Sequence, residues 1–140
     1  MNTRFTVATH ILTLLALFRE QAVTSEFIAG SVQTNPVVIR RLLGRLREAG
    51  FVRAVQGPGG GFELTAEPSE LTLLDVYQAV AEPGVIPAHP GGSPRCPVGR
   101  NIGALLNDVT NEAEMAMFAS LRSTTIAALA RRVAKREKAG

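Results

Sequence analysis

The residue types with the clearest chemical use are arginines in the middle of the chain. Between positions 36 and 53, five arginines stand against one acid, Glu48. Guanidinium groups form paired hydrogen bonds with phosphates and with the edge of guanine, so this cluster favours a polyanionic partner such as nucleic acid. The alternative is a solvated helix face, and the neighbouring sequence has to decide between the two. The five are Arg40, Arg41, Arg45, Arg47 and Arg53.

A glycine-rich run follows the arginines. Residues 56–64 read QGPGGGFEL and lie between two short segments that alternate like half-buried strands. Glycine adopts backbone angles closed to other residues and permits close approach, so the run predicts the tight tip of a β-hairpin. A phosphate-binding loop is disfavoured because Phe62 and Glu63 stand where it needs Lys and Ser or Thr. A dinucleotide fingerprint is disfavoured because these glycines join strand to strand.

Three predicted helices precede the hairpin and position the arginines. An apolar stretch within residues 4–19 predicts a core helix, and Thr24 and Ser25 offer the N-cap of a brief second helix. Pro36 suits the first position of a third helix, which Gly50 ends. That helix turns apolar residues to the core and arginines to the other side. The apolar residues are Ile39, Leu42, Leu43 and Leu46.

The order of these elements is that of a winged helix-turn-helix, in which the third helix enters the major groove and the hairpin is the wing. We therefore predict a mainly α fold with a small β-hairpin (α+β) and a long C-terminal helix. Arg40 and Arg41 are expected at base edges or phosphates, and Arg45, Arg47 and Arg53 on the DNA backbone. The predicted DNA-binding set is Ser25, Thr34, Asn35, Pro36, Val37, Val38, Arg40, Arg41, Arg45, Arg47, Arg53, Gln56, Gly57, Pro58, Gly59 and Gly60.

Residues 101–122 carry an apolar stripe at three- and four-residue steps, which predicts a long helix. A helix of this length cannot bury its stripe on so small a domain, so we expect it to pair with the same helix of a second chain. A helix folded back on its own domain is the alternative. Ser123 and Thr124 predict a break before a short final helix that frays into a basic tail. The predicted dimer contacts are Ile102, Leu105, Leu106, Val109, Ala113, Met117 and Leu121.

Two segments carry a family resemblance. The run LLGRLREAGFV at 42–52, followed by GPGGGF at 57–62, resembles the Rrf-type winged-helix regulators. The resemblance covers nearly the whole chain, since 71–77 looks like the next helix of the family and 96–99 like the start of its dimerisation helix. It implies a sequence-specific DNA-binding transcriptional regulator. We expect a repressor that acts as a homodimer on a pseudo-palindromic operator.

Two positions depart from the family pattern. Gln56 stands where related wings often carry a basic residue that enters a narrow minor groove, so weaker readout of DNA shape is expected. Position 40 carries Arg where some relatives carry Glu, which implies an operator sequence that differs from the operators of those relatives.

The single cysteine, Cys96, decides the ligand question. Cluster-binding members of the family have three cysteines before the long helix, and Cys96 resembles the last. Counting back six and twelve residues reaches Pro90 and Gly84, and His89 alone cannot replace two thiolates. We therefore expect no iron–sulfur cluster, no other cofactor and no metal site. Two interpretations of Cys96 stay open: a redox or electrophile sensor able to bridge the dimer, or an inert remnant.

Composition bounds the remaining possibilities. A chain of 140 residues with 46% hydrophobic content is large enough to form its own core. The sequence has no apolar run of about 18 residues, so no membrane span is expected. We predict a DNA-binding domain over 1–81, a flexible loop over 82–97, and a dimerisation helix with a short C-terminal helix over 98–140. No metal spacing or nucleophile motif indicates an enzyme.

Two classes of function therefore remain. The first is a cytoplasmic regulator that binds double-stranded DNA as a homodimer and answers an unidentified small-molecule or redox effector. The second is a winged-helix module that regulates through a protein partner. Arg40 and Arg41 beside the wing favour the first.

Overall fold

The computed structural model describes residues 3–82 and 84–140. These residues form a mainly α fold with one antiparallel hairpin, as the sequence predicts. In chain order the elements are α1 (Arg4–Leu17), α2 (Ser25–Val32), α3 (Pro36–Glu48), β1 (Val52–Val55), β2 (Gly61–Leu64), α4 (Leu73–Val80), α5 (Pro97–Arg122) and α6 (Ile126–Ala139). None of the helices in this described part is long and apolar enough to cross a membrane.

The main hydrophobic core lies among α1, α2, α3 and α4. In α3 the four residues predicted to face inward are all buried, at most 3% exposed. They pack against apolar residues on one side of α1, and Thr6 and His10 on its opposite side are exposed. The buried residues of α1 are Ala8, Ile11, Leu12, Leu14 and Leu15.

Local capping signals fix the turn between α2 and α3. The Thr24 hydroxyl accepts a hydrogen bond from the Phe27 N–H at 3.1 Å, and α2 ends on Gln33 in the left-handed conformation. The Asn35 side chain then caps α3, and Pro36 takes its first position. Gly50, with φ of +82°, follows the end of α3. Each of these roles is set by a residue in the turn or directly after the helix, so the bounds of α3 are encoded locally.

The chain divides into two compact units, and the division differs from the predicted one. Arg122–Gly140 joins the described residues up to Ala81, whereas Glu82–Leu121 forms the second unit. The reason is the apolar side of α6, where Ile126 is fully buried. The Ile126 N–H also donates to the Leu71 carbonyl at 2.8 Å. The final helix therefore belongs to the winged-helix unit.

The start and length of α6 also correct the sequence prediction. Thr125, rather than Ser123 or Thr124, caps the helix by accepting from the Ala128 N–H at 3.1 Å. The helix continues for 14 residues to Ala139, so it is neither short nor frayed.

The second unit consists of α5 and the segment that precedes it. The Val85 N–H donates to the Glu114 carboxylate at 3.3 Å, and a side chain added at Gly103 would touch His89. Within its 26 residues α5 has no buried side chain. Among its described residues, this unit therefore has no closed core of its own.

Candidate nucleic-acid interface

The outward face of α3 is set by its buried face. Because an α-helix turns by about 100° per residue, Val37, Arg41 and Gly44 lie directly opposite the buried leucines. Arg40 and Arg47 flank this line on one side. The outward face therefore begins with an apolar residue and continues with arginines.

Three of the five arginines that were predicted to bind DNA are available to a partner. Arg40, Arg41 and Arg47 are exposed, and none of them forms an ion pair with another described residue. The one acid on this helix is Glu48, which is its last residue. The outward face of α3 is therefore a concentrated positive surface suited to phosphates and base edges.

The other two arginines are engaged within the protein. Arg45 is partly buried and donates to the Val80 carbonyl at the end of α4, at 3.3 Å. Arg53 in β1 donates through Nε to the Glu63 carboxylate at 2.6 Å, across the hairpin. Both side chains therefore form hydrogen bonds within the protein. The sequence predicted contacts with the DNA backbone for them and did not predict these internal partners.

The polar side chains at the start of α2 and α3 also have partners. The Asn35 Oδ1 atom accepts from the Val37 N–H at 2.8 Å, so its acceptor is used by the cap. The Ser25 hydroxyl donates to the Glu26 carboxylate at 3.3 Å, and Thr34 is half-buried. Pro36 is exposed at the start of α3.

The predicted wing is a two-stranded hairpin with an exposed tip. Register pairs Val52 with Leu64 and Val55 with Gly61. The tip is closed by a hydrogen bond from the Gly60 N–H to the Gly57 carbonyl at 2.9 Å. The φ angles of Gly57 and Gly59 are +84° and +76°, a region that favours glycine. Residues 56–59 are all exposed, so the tip is free to meet a groove or a backbone.

A third segment anchors the wing, and sequence reasoning missed it. Val23 exchanges two backbone hydrogen bonds with Phe62, at 2.9 and 2.8 Å. A Cβ atom at Gly61 would overlap the Val23 carbonyl, so only glycine fits there. Val23 immediately precedes the cap of α2, and the wing is thereby fixed to the helix-turn-helix. A bridge of one residue leaves no alternating pattern by which the sequence could have revealed it.

Comparison with protein families matches residues 1–132 to the family described as "Rrf2: Iron-dependent Transcriptional regulator". The chain belongs to the Rrf2 family. YwnA of Bacillus subtilis is similar at 35% identity over 127 residues, 90% of this chain and 93% of that protein. Among solved structures, a transcriptional regulator from Lactobacillus plantarum gives a TM-score of 0.81 at 28% identity, covering 95% of this chain and 91% of that one. CymR of Staphylococcus aureus shares the fold, with a TM-score of 0.71 at 23% identity over 92% and 96% of the chains.

Membership of the Rrf2 family confirms the resemblance seen in the sequence and the winged-helix fold. It identifies the chain as a DNA-binding transcriptional regulator and not an enzyme. In a winged helix-turn-helix, the second helix of the pair and the wing are the elements that meet DNA, and in this Rrf2 chain α3 and the hairpin have those positions.

The described residues of this Rrf2 chain have no ligand set that matches the iron named in the family description. Within residues 3–82 and 84–140, no three His, Cys, Asp or Glu side chains are grouped to hold a metal ion. Cys96 is exposed, positions 84 and 90 are Gly and Pro, and the His89 Nδ1 accepts a hydrogen bond from the Gly91 N–H. These residues do not fit an iron–sulfur cluster held by three cysteines.

The thiol of Cys96 lies at the start of α5. Hydrogen bonds from the backbone N–H groups of Gly99 and Val98 lower the pKa of the thiol. The preceding loop closes tightly on this helix start, because a Cβ atom at Gly99 would lie 2.7 Å from the Ser93 carbonyl oxygen. Cys96 is therefore an exposed thiol whose environment favours the nucleophilic thiolate.

Proposed function

We propose that this Rrf2 protein is a cytoplasmic repressor that binds a pseudo-palindromic operator as a homodimer. The observation that carries the proposal is the exposed pair Arg40 and Arg41 on α3, beside a wing fixed to the same helix-turn-helix. A helix of this kind reads the major groove while the wing contacts the flanking backbone. Occupancy of a promoter by the dimer excludes the polymerase, which is the physical basis of repression.

Transcription in vitro tests the repressor proposal. Genomic fragments that the protein binds would serve as templates, with and without the added chain. We expect transcript from a bound promoter to fall as the protein saturates its site. A rise in transcript on the same templates would contradict repression and leave DNA binding intact.

The apolar stripe of α5 supports the homodimer. Val98, Leu105 and Val109 are 65%, 62% and 63% exposed and lie along one side of α5, and a contiguous apolar patch of this kind marks an interaction surface. The segment before α5 lies along the other side of the helix, near Asn107 and Asn111. The stripe thus remains open for the same helix of a second copy, which buries it by a self-complementary contact.

Charges placed on this stripe are expected to separate the dimer. The double variant Leu105→Glu/Val109→Glu would place four like charges in one apolar contact, so we expect monomers at micromolar concentration. Light scattering or analytical ultracentrifugation measures the mass. The matched control is Ala104→Glu/Met115→Glu, which adds the same charge to exposed positions of α5 outside the stripe and away from the preceding segment, and should stay dimeric. Equal masses for the two variants would contradict the assignment of the stripe.

We further propose that Cys96 is the point at which a redox or electrophilic signal acts on the regulator. Its lowered pKa and its exposure at the start of α5 support this role over an inert remnant. Because the thiol belongs to the same helix as the stripe, modification occurs where it can alter the dimer.

Alkylation kinetics test the reactivity of Cys96. We expect the rate with iodoacetamide to reach half its maximum at a lower pH in the native chain than in the same chain unfolded in urea. The reason is that the helix-start hydrogen bonds that lower the thiol pKa exist only in the folded state. Coincident pH profiles would favour the inert remnant. Operator affinity should change on alkylation of the wild type and stay constant in Cys96→Ser.

A further inference from the structure

The exposed start of α3 is apolar. Val37 is 50% exposed and Val38 is 36% exposed, in the first turn of the helix that carries Arg40 and Arg41. Val37 lies at the centre of the outward face, one helical turn before Arg41. An exposed valine gains nothing from water, and its place at the centre of the outward face puts it against whatever this face of α3 binds.

The same turn offers little polar readout of bases. The Asn35 Oδ1 atom accepts the capping hydrogen bond, which fixes the amide at the helix start, so the paired contact that recognises adenine would compete with the cap. Pro36 has no donor. The first turn of α3 therefore presents valine to the groove in place of a hydrogen-bonding side chain.

We propose that Val37 recognises the 5-methyl group of a thymine in each operator half-site. This inference rests on the proposed function. The thymine methyl is the apolar group that the major-groove edges of the bases present, and small apolar side chains are its usual contacts. Valine holds one preferred rotamer in a helix, so little side-chain entropy is lost when the contact forms.

The residue one turn beyond Arg41 permits the close approach that such a short side chain needs. Gly44 lies on the same face, and a Cβ atom added there would meet nothing within 4 Å in the protein. A glycine inside a helix costs about 0.5–1 kcal/mol relative to alanine, and no intramolecular contact compensates for it here. Its bare backbone lets the middle of α3 lie close to the DNA.

Removal of single methyl groups from the operator tests the assignment. The operator is first obtained by selection from random DNA, and each thymine is then replaced in turn by deoxyuridine, which keeps the base pair and removes the methyl. At one symmetry-related pair of thymines we expect the wild-type affinity to fall about fourfold for one half-site and about fifteenfold for both.

Two valine variants link the methyl to Val37. Val37→Ala should lose affinity for the thymine operator by a similar factor and become insensitive to deoxyuridine at that position, as in a double-mutant cycle. The matched control is Val133→Ala on α6, whose side chain is 48% exposed and which should keep both the affinity and the methyl dependence. Unfolding in urea confirms that the variants remain folded.

The outcomes that overturn the inference differ from those that overturn the function. Specific binding that no thymine replacement weakens, or a Val37→Ala variant with full methyl dependence, would overturn the assignment while leaving a DNA-binding regulator. Failure to select any sequence, with an intact dimer, would overturn the proposed function and the inference together.

Discussion

Replacement of Arg40 and Arg41 together by alanine is expected to weaken operator binding by about three orders of magnitude or more. A homodimer loses four guanidinium groups, and each arginine contact to a base edge or phosphate contributes about 1–3 kcal/mol. Both side chains are exposed and lack ion pairs with the described residues, so their loss leaves the core unchanged. Fluorescence anisotropy with a labelled operator measures the affinity, and circular dichroism the fold.

A second arginine pair provides the control for net charge. Arg131 and Arg132 are exposed on α6 of the same unit, and the variant Arg131→Ala/Arg132→Ala removes the same charge. We expect this control to lose no more than about tenfold in affinity, from the long-range field alone. Equal losses in the two double variants would mean that total charge, and not the position of the arginines on α3, determines binding.

The variant Gly61→Ala is expected to lose roughly 2–4 kcal/mol of folding free energy, a loss at the upper end for a single substitution. The new Cβ atom would lie 2.5 Å from the Val23 carbonyl carbon and 2.9 Å from the Thr24 nitrogen. The φ of Gly61, +145°, is also unfavourable for alanine. The wing would have to separate from the segment before α2, so operator affinity should fall with stability.

Gly59→Ala separates the two causes of this loss. Gly59 has a φ of +76°, yet a Cβ atom there would meet nothing within 4 Å. Backbone strain alone then predicts a loss of about 1–2 kcal/mol. Urea unfolding of both variants measures the difference. If Gly59→Ala and Gly61→Ala lose the same free energy, the close approach to Val23 does not hold the wing.

The sequence reveals those parts of the fold that are encoded by neighbouring residues. Pro36 at the first position of α3 and Gly50 after its end are short-range signals, and each has its predicted role. The glycine run likewise predicts the hairpin because tight turns depend on local backbone angles.

The features that the sequence did not reveal depend on contacts between distant segments. The bridge between Val23 and Phe62 joins residues 39 positions apart, and the Arg45 contact with Val80 spans 35. The position of α6 within the first unit is set in part by the hydrogen bond from the Ile126 N–H to the Leu71 carbonyl. Periodicity shows which apolar residues share one face of a helix, but it does not show which part of the fold that face packs against.

The candidate site shows the same division. Helical spacing places Arg40 and Arg41 on the outward side, where the structure has them exposed. Arg45 and Arg53 have partners within the protein, so fewer arginines are free to bind DNA than the five that the sequence shows in this region. The predicted DNA-binding set includes Val37, and the structure has this residue half exposed at the start of α3. Coordinates are needed to show that the Asn35 Oδ1 atom beside it accepts from the Val37 N–H.

The most direct test of the central claim, that α3 and the wing bind a specific DNA site, is a salt titration of operator affinity. Wild-type protein is measured against the selected operator and against a scrambled duplex of equal composition, from about 50 to 200 mM salt. We predict binding to the operator at least about a thousandfold tighter than to the scrambled duplex, with affinity falling at least about a thousandfold over this range. Equal affinity for both duplexes, or affinity that salt leaves unchanged while the protein is dimeric, would contradict the claim.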